Sequence, residues 1–357
     1  MYKKKIAIIC DYILIPERIG GMDRFYLLFD KKLKELNYEV DWYVTYYNKF
    51  HFYDNLTITS ANGNSVEQKF IEVSTNRNYD IIVTHFTQLC TKYYKYYKSL
   101  HKNAYVLAVD HNPRPFNGFP YRKRIKKRIQ GLLYSKYVHQ FIGVSRYTVN
   151  HILKDYGSFL KKKTKVIYNG IDIDIFKKRT KENRNKFIVV SHLRKNKGIQ
   201  DLLKALNILE KEKLEGVEVD IYGDGPYKPI LRQLCINYNL KDVVTFKGSS
   251  PNLHQLFSEH RYMIQPSYME CFSLSILESL SANVPVITTT VGGNLEVLTD
   301  NENSYIFSPG DIESLAKILE NIISGEKKIS LDTSTIVVEK FSLERMVNEH
   351  IKVLVCI

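Results

Sequence analysis

The sequence predicts an α/β protein with two domains, each built around a parallel sheet. Segments with the composition of buried strands alternate with segments of helical periodicity along the whole chain. The 357 residues, 44% of them hydrophobic and 25% charged, suffice for two domains of about 170 to 180 residues each. A charged run near the middle, KKRTKENRN at 177–185, marks the linker between them.

The first half opens with a strand, KKIAIICDYIL, and then a Gly-Gly pair before the helix MDRFYLLFDKKLKEL. Gly-Gly before a helix lets the backbone approach a ligand or a partner domain closely. Later strands are rich in apolar and β-branched residues, as in a parallel sheet covered on both faces. They read EVDWYVT, YDIIVTHF, AYVLAVD, HQFIGVS and TKVIYNG. A tyrosine-rich helix at 93–97 is interpreted as packing, and a further helix starts at Arg146.

The second half repeats this alternation. Its strands read KFIVVS, VEVDIYG, VVTFKG, YMIQ and VPVITTT, and an amphipathic helix follows at DIESLAKILENIISG. We therefore expect domains at 1–178 and 179–340, with a last helix at 341–357.

The stretch from Ile264 to Glu296 contains a strand, a turn and a helix in direct succession. Pro266 and Ser267 form the turn, and Ser273 is in the position of an N-cap before Leu274. The loop thus delivers a helix N-terminus, whose unpaired N–H groups and dipole favour an anion, most often phosphate.

Two acids, Glu270 and Glu278, frame this helix. If both lay on one helix, eight residues would separate them by roughly 80° in azimuth and about 12 Å in rise. A paired acid/base dyad needs carboxyl groups within about 5 to 10 Å across one bond. The spacing therefore indicates two separate tasks along one ligand.

Glu270-Cys-Phe-Ser-Leu-Ser-Ile-Leu-Glu278 resembles the E-x(7)-E motif of retaining family four glycosyltransferases. The neighbouring PVITTTVGGNLE, the GGMDR after the first strand and the hallmark VIYNGIDIDIF also resemble that family, with Cys271 and Ser273 in place of two glycines. The resemblance implies the GT-B architecture, two Rossmann-like domains facing each other across a cleft, with the last helix crossing back to the first domain. It also implies a metal-independent site without a cofactor and a nucleotide-diphosphate sugar donor, UDP- or GDP-linked.

The same resemblance suggests roles for individual residues. Glu270 would contact sugar hydroxyls and stabilise the transition state, Glu278 would bind the ribose, and Lys197 would hold the diphosphate. The arginine that normally accompanies this lysine is His192, so either Arg194 reaches round or the site works without it. His111 is the expected third catalytic residue, with His85 as a second candidate. The remaining expected donor contacts are Gly20, Gly21, Gly223, Gly225, Cys271, Phe272, Ser273 and Leu274.

Positive charge is concentrated in the first half. Residues 1–180 contain 32 Lys and Arg against 15 Asp and Glu, whereas residues 181–357 contain 20 against 23. In the segment 121–138, Ile125, Ile129, Leu132 and Leu133 recur at helical spacing, so the segment predicts a basic amphipathic helix. Its basic residues are Arg122, Lys123, Arg124, Lys126, Lys127 and Arg128. The excess charge fits either solvated faces, an anionic membrane surface or nucleic acid, and no nucleic-acid motif accompanies it.

Composition bounds the cellular setting. Five scattered cysteines without a C-x-x-C pair fit a reducing cytoplasm, and no apolar run predicts a membrane span or a signal peptide. Family habit and charge lead us to expect a glycan or lipid-linked acceptor for a surface polysaccharide, lipopolysaccharide or capsule, at the inner face of the membrane. A catalytically silent nucleotide-sugar-binding subunit and a nucleotide-sugar epimerase or hydrolase of the same architecture remain alternatives.

Overall fold

The computed structural model describes residues 3–116, 118–180 and 185–356. They form two compact units, one of Met1–Asn169 with Leu343–Ile357 and the other of Gly170–Ser342. The expected border at 178 lies inside the second unit because Ile171 pairs with Ser342 there, and its N–H donates to the Phe341 carbonyl at 3.0 Å. Each unit contains a parallel sheet with helices, which confirms the prediction of two α/β domains.

The first unit alternates strands and helices. Its strands are β1 (Lys5–Leu14), β2 (Glu39–Tyr47), β3 (Thr57–Ser60), β4 (Ile81–His85), β5 (Tyr105–Asp110), β6 (Gln140–Gly143) and β7 (Thr164–Val166). Its helices before the domain crossing are α1 (Gly21–Glu35), α2 (Val66–Val73), α3 (Lys92–Leu100), α4 (Tyr121–Tyr134) and α5 (Arg146–Tyr156).

The first sheet has the order β3-β2-β1-β4-β5-β6-β7, with every pair parallel. Its central strands are buried on both faces; Ile6 to Cys10 and Val106 to Val109 are inaccessible to solvent. The strand order reverses direction between β1 and β4, so loops leaving the carboxyl ends of these strands diverge and leave room for a ligand.

The second unit follows the same plan. Its strands are β8 (Lys186–Val190), β9 (Glu218–Tyr222), β10 (Val244–Gly248), β11 (Tyr262–Gln265), β12 (Val286–Thr289) and β13 (Ser304–Phe307). Its helices are α6 (Ile199–Ile208), α7 (Lys228–Asn237), α8 (Leu253–Leu256), α9 (Leu274–Ser281), α10 (Ile312–Ile323) and α11 (Thr335–Lys340).

The second sheet has the order β10-β9-β8-β11-β12-β13, again entirely parallel. The order in which successive strands join the sheet reverses between β8 and β11. The core beside this sheet is continuous and includes Phe187, Leu203, Ile264 and Leu319, all fully buried. A rigid sheet of this kind fixes the starting points of the loops that follow β8 and β11.

The last helix, α12 (Leu343–Val355), belongs to the first unit although it follows the second in sequence. It packs on α1 through His350, whose ring centroid lies 5.1 Å from that of Phe25 and 5.8 Å from that of Phe29. Among the helices of the described ranges, none is both long and apolar enough to cross a bilayer.

Candidate functional site

The loops after β8 and β11 begin side by side, at the point where the strand order of the second sheet reverses. Ligands of open α/β sheets bind outside the carboxyl ends of strands at such a point. The loop after β8 runs through Ser191 to Gly198, and the loop after β11 runs from Pro266 to Ser273. The two loops touch, because Tyr268 N–H donates to the Asn196 carbonyl at 2.9 Å.

Lys197 and Glu270 meet at this point, one from each loop. The lysine Nζ lies 2.7 Å from the glutamate Oε1, with both side chains largely buried. Ser267 Oγ donates to the same oxygen at 2.9 Å. Oε2 accepts no hydrogen bond from the residues that the structure describes. The carboxylate is therefore held in one orientation with one oxygen available to a ligand.

Gly198 allows the two loops to approach closely. Its φ of +72° lies in the left-handed region, and a Cβ there would fall 1.8 Å from the Pro266 carbonyl oxygen. Any other residue would push the β8 loop away from the β11 loop. Gly198 thus fixes the distance over which Lys197 reaches Glu270.

The N-terminus of α9 follows Glu270 directly. Ser273 is its N-cap residue, as predicted, but the side chain does not cap the helix. Its Oγ is occupied by Gln265 Nε2 at 2.8 Å and lies 3.0 Å from Ser275 Oγ. The first turn of α9 thus receives no capping hydrogen bond from Ser273, which leaves these N–H groups and the positive end of the dipole to an anion.

Glu270 precedes α9 and Glu278 lies inside it. The separation of roughly 80° and about 12 Å expected for two residues on one helix therefore does not apply to Glu270 and Glu278. Glu278 is half-buried, one turn before the end of the helix. The assignment of two separate tasks to Glu270 and Glu278 stays a prediction.

Other expected donor contacts lie around these two loops. His192 and Arg194 are exposed on the β8 loop, so neither is fixed beside Glu270 by burial. Cys271 is half-buried, whereas Phe272 is buried with its ring 5.4 Å from that of Phe341, which gives it a packing role.

Gly223 and Gly225 are close to the backbone of the β8 loop. A Cβ on Gly225 would lie 2.4 Å from the Leu193 carbonyl oxygen, and one on Gly223 would lie 2.0 Å from that of Ser191. The close contact of both glycines with the backbone of the β8 loop already explains why neither position can carry a side chain. Their approach to a nucleotide stays a prediction from the resemblance.

In the first unit, Gly20 and Gly21 start α1 after the loop that follows β1. Gly20 N–H donates to Asp23 Oδ2 at 2.7 Å, and Tyr53 also donates its hydroxyl to Asp23. A buried carboxylate thus occupies this helix N-terminus. Asp23 was not predicted as part of this site, although an acid three residues after an N-cap is a recognised signal.

The histidines His85 and His111 are adjacent. His85 is the last residue of β4, and His111 directly follows the neighbouring strand β5. His85 Nδ1 lies 3.0 Å from His111 Nε2. Phe86 stacks on His111 with ring centroids 4.1 Å apart. Burial lowers the pKa of His111 to about 3 and also lowers that of His85. Both imidazoles are therefore neutral near pH 7, and His111 can serve as a neutral hydrogen-bonding group.

A buried ion-pair cluster that was not predicted from the sequence supports the segment after His111. Arg114 Nη2 lies 2.6 Å from Asp110 Oδ2, and Arg114 Nε lies 3.1 Å from Asp155 Oδ2. In the sequence, only the four-residue spacing of Asp110 and Arg114 could have indicated an ion pair. The contact with Asp155 could not be predicted in this way, because Asp155 lies 41 residues away, on α5. The cluster anchors the loop on which His111 stands.

The described residues contain no group of three or more His, Cys, Asp or Glu that could bind a metal ion. The sequence does hold an Asp-x-Asp triplet at Asp172–Asp174, just after Ile171. Metal independence therefore stays a prediction from the resemblance.

Two family models match adjacent parts of the chain. The model for glycosyl transferases group 1 matches residues 170–332, and the model for Glycosyltransferase Family 4 matches residues 19–175. Together they cover residues 19–332 and overlap at 170–175, next to the structural division at Asn169 and Gly170.

Individual relatives are distant. N-acetyl-alpha-D-glucosaminyl L-malate synthase of Bacillus anthracis is 28% identical over 202 residues, 53% of this chain and 52% of the relative. The chain thus matches about half the length of this relative. Among solved structures, Anabaena Alr3699/HepE in complex with UDP and glucose superposes with a TM-score of 0.77 at 18% identity over 100% of both chains. The lipopolysaccharide outer core galactosyltransferase WaaB, in its apo form, gives 0.69 at 16% identity over 99% of both.

These likenesses agree in architecture with two parallel-sheet units, and the family models cover the loops that carry Lys197, Glu270 and His111. The chain belongs to the group 1 glycosyltransferases, enzymes of the GT-B fold.

Proposed function

We propose that this glycosyltransferase moves a sugar from a nucleotide-diphosphate sugar, UDP- or GDP-linked, to a hydroxyl group of a glycan or lipid-linked glycan. The observation that carries the proposal is the meeting of Lys197 and Glu270 at 2.7 Å, directly before the N-terminus of α9. A cation, a carboxylate and a helix N-terminus in one place match a ligand with an anionic part and a hydroxyl-rich part.

The diphosphate binds at the N–H groups of the first turn of α9 and at Lys197. As the bond to the sugar breaks, negative charge grows on the leaving diphosphate, and these donors are already oriented to stabilise it. Lys197 carries three donors, so it can keep its bond to Glu270 while it contacts a phosphate oxygen.

Glu270 binds the sugar of the donor. Ser267 and Lys197 hold its Oε1, and Oε2 is the oxygen that accepts a hydrogen bond from a sugar hydroxyl. The carboxylate also stabilises the positive charge of an oxocarbenium-like transition state. Glu278 binds the ribose of the nucleotide.

We infer retention of anomeric configuration, by attack of the acceptor hydroxyl on the face that the diphosphate leaves, without a metal ion. The retaining E-x(7)-E motif supports this, because Glu270 and Glu278 keep its spacing. The neutral His111 assists with sugar and acceptor hydroxyls in the first unit. The names of the relatives also fit: Alr3699/HepE was solved with UDP and glucose, and the Bacillus anthracis enzyme is named for an N-acetylglucosaminyl group.

For the biological role, we propose a step of polysaccharide, lipopolysaccharide or capsule assembly in the cytoplasm, at the inner face of the membrane. The likeness to WaaB and the positive charge of residues 1–180 support this assignment. A lipid-linked acceptor would reach the enzyme at that surface.

Release of nucleoside diphosphate tests the proposal. Each purified variant is incubated with UDP-, GDP-, ADP- and TDP-sugars, with and without glycan acceptors. We expect Glu270→Gln and Lys197→Ala to lower release by at least about 10²-fold, since one lost electrostatic donor costs about 3 to 4 kcal/mol. Lys195→Ala is the matched control, because this exposed lysine stands two residues from Lys197, and it should behave like the wild type.

Wild-type-like release by Glu270→Gln or Lys197→Ala would contradict the assignment of the site. Binding of a nucleotide sugar without any release would favour a silent binding subunit, for which the loss of an arginine at His192 is the relevant change. Release that yields an epimer of the sugar, independently of acceptor, would favour an epimerase.

A further inference from the structure

Helix α4 presents an apolar stripe to solvent. Ile125, Ile129 and Leu132 are 42%, 50% and 63% exposed, and Tyr121 and Leu133 are more than half exposed. At about 100° per residue, Ile125, Ile129 and Leu132 lie within about 60° of one another. Single exposed apolar residues are common on proteins, but a contiguous stripe marks an interaction surface.

The opposite face of α4 attaches the helix to α5. A Cβ on Gly131 would lie 2.0 Å from the Tyr156 carbonyl oxygen, so the two helices are in backbone contact there. Lys127 Nζ donates to Tyr156 Oη at 2.8 Å, and Arg128 donates to the Lys154 carbonyl at 2.9 Å. By the same geometry, Lys127 lies about 170° and Gly131 about 130° around the helix from the middle of the apolar stripe. The stripe therefore points away from its own domain.

Positive charge flanks the stripe. Arg122, Arg124 and Lys126 are exposed, and no acid occurs on α4. Along the sequence from Ile81 to Lys154, Asp110 is the only acid, and Arg114 neutralises it. Lys123 and Lys127 differ from the others, because their ammonium groups lie over the Phe119 ring at 4.2 and 4.7 Å.

A basic groove adjoins the stripe. An open cavity of about 370 Å³ lies beside α3 and α4 and is lined by Lys92, Lys95, Tyr96, Leu133, Lys136 and Tyr137, among others. The three lysines form no ion pair within the ranges that the structure describes. Lysine ammonium groups and tyrosine hydroxyls at the edge of an apolar surface suit the phosphate of a lipid headgroup.

We propose that α4 and this groove form a docking surface for an anionic phospholipid bilayer. The apolar stripe enters the boundary between headgroups and acyl chains, and the flanking basic residues and the groove contact lipid phosphates. Nucleic acid explains the charge but gives no role to outward-pointing isoleucine and leucine, since phosphate contacts are polar. Docking through α4 rests on the membrane location in the proposed function and assigns the surface responsible for it, and its test needs no transfer activity.

The test is sedimentation of the full chain with vesicles of phosphatidylcholine, with and without phosphatidylglycerol. We expect binding only to the anionic vesicles, decreasing with salt. The variant Ile125→Ser/Ile129→Ser/Leu132→Ser should bind at least about tenfold more weakly at unchanged thermal stability, because it removes exposed side chains. Ile230→Ser/Ile236→Ser on α7 is the matched control, since both residues are similarly exposed, and should bind as the wild type.

Charge is tested separately. Arg122→Gln/Arg124→Gln/Lys126→Gln should weaken binding about a hundredfold at low salt, and Lys92→Gln/Lys95→Gln/Lys136→Gln should also weaken it. Equal binding to neutral vesicles would overturn the proposal. So would an apolar-stripe variant that binds like the wild type, or duplex DNA that displaces the protein from vesicles while the stripe variant binds DNA normally. Nucleoside diphosphate release from soluble donors should be unchanged in the stripe variant, which separates this inference from the proposed function.

Discussion

Ser273 shows how a single side chain decides what a helix end can bind. The residue has the identity and position of an N-cap, yet its hydroxyl is held by Gln265 and lies beside Ser275. A serine that capped α9 would compete with an anion for the same N–H groups. Because the hydroxyl is diverted, Ser273 does not compete for these N–H groups with the diphosphate that we propose to bind there.

Substitution of Ser273 tests this reading. Ser273→Ala should leave nucleoside diphosphate binding within a few fold of the wild type and cost about 1 kcal/mol of unfolding free energy through the lost Gln265 bond. Ser273→Asp should weaken binding at least tenfold, because its carboxylate takes the N–H groups and repels phosphate. Calorimetric titration with the nucleoside diphosphate measures both. An aspartate variant with unchanged affinity would show that the anion does not bind there.

The sequence identified Lys197 and Glu270 individually, through family motifs, but not their contact. They are 73 residues apart, and their approach depends on loop geometry at Gly198 and Pro266. Ser267, which fixes Glu270, was visible only as a turn residue. Such contacts depend on parallel strands that meet at a sheet edge, which local patterns do not encode.

Helix α12 supplies a buried histidine to the first unit. Burial lowers the pKa of His350 to about 4, and its Nδ1 lies 2.8 Å from the Met346 carbonyl oxygen. Its ring is close to those of Phe25, Phe29 and His85. A neutral imidazole fits this surrounding, whereas a protonated one would be an unpaired buried charge.

Acid should therefore destabilise the first unit. The unfolded chain protonates His350 near its ordinary pKa of about 6.5, while the folded chain resists protonation until about pH 4, so stability falls as pH decreases through this window. The contribution is about 1.4 kcal/mol of unfolding free energy per pH unit. His350→Leu should reduce the pH slope by about that amount in urea unfolding between pH 7 and pH 5. An unchanged slope would contradict the neutral buried state.

The prediction of elements succeeded for most strands and missed β3 and β13. The strands around β1, β5 and β12 were visible in apolar, β-branched runs, whereas the four residues of β3, Thr57–Ser60, and of β13, Ser304–Phe307, include polar residues and do not form such a run. The basic helix α4 was predicted as well. Which way its apolar side faces was not, because that depends on the contact between Gly131 and Tyr156.

Both units repeat one design, a parallel sheet in which the order of successive strands reverses beside the first strand. Candidate side chains follow the strands at these reversals: Lys197 and Glu270 in the second unit, and His85 in the first. The repetition is compatible with the proposed donor site in one unit and the proposed acceptor-binding groups in the other. Fold class was predictable because it depends on the alternation of elements over hundreds of residues.

The donor site is tested most directly by thermal unfolding of the protein with UDP, GDP, ADP, TDP and their common sugars. A ligand of the folded state at 100 times its dissociation constant adds about 2.7 kcal/mol, a shift of several degrees. We expect a shift with one nucleotide family, retained in Lys195→Ala and lost in Lys197→Ala. No shift with any nucleotide, or an equal shift in Lys197→Ala, would contradict a donor site built on Lys197, Glu270 and the N-terminus of α9.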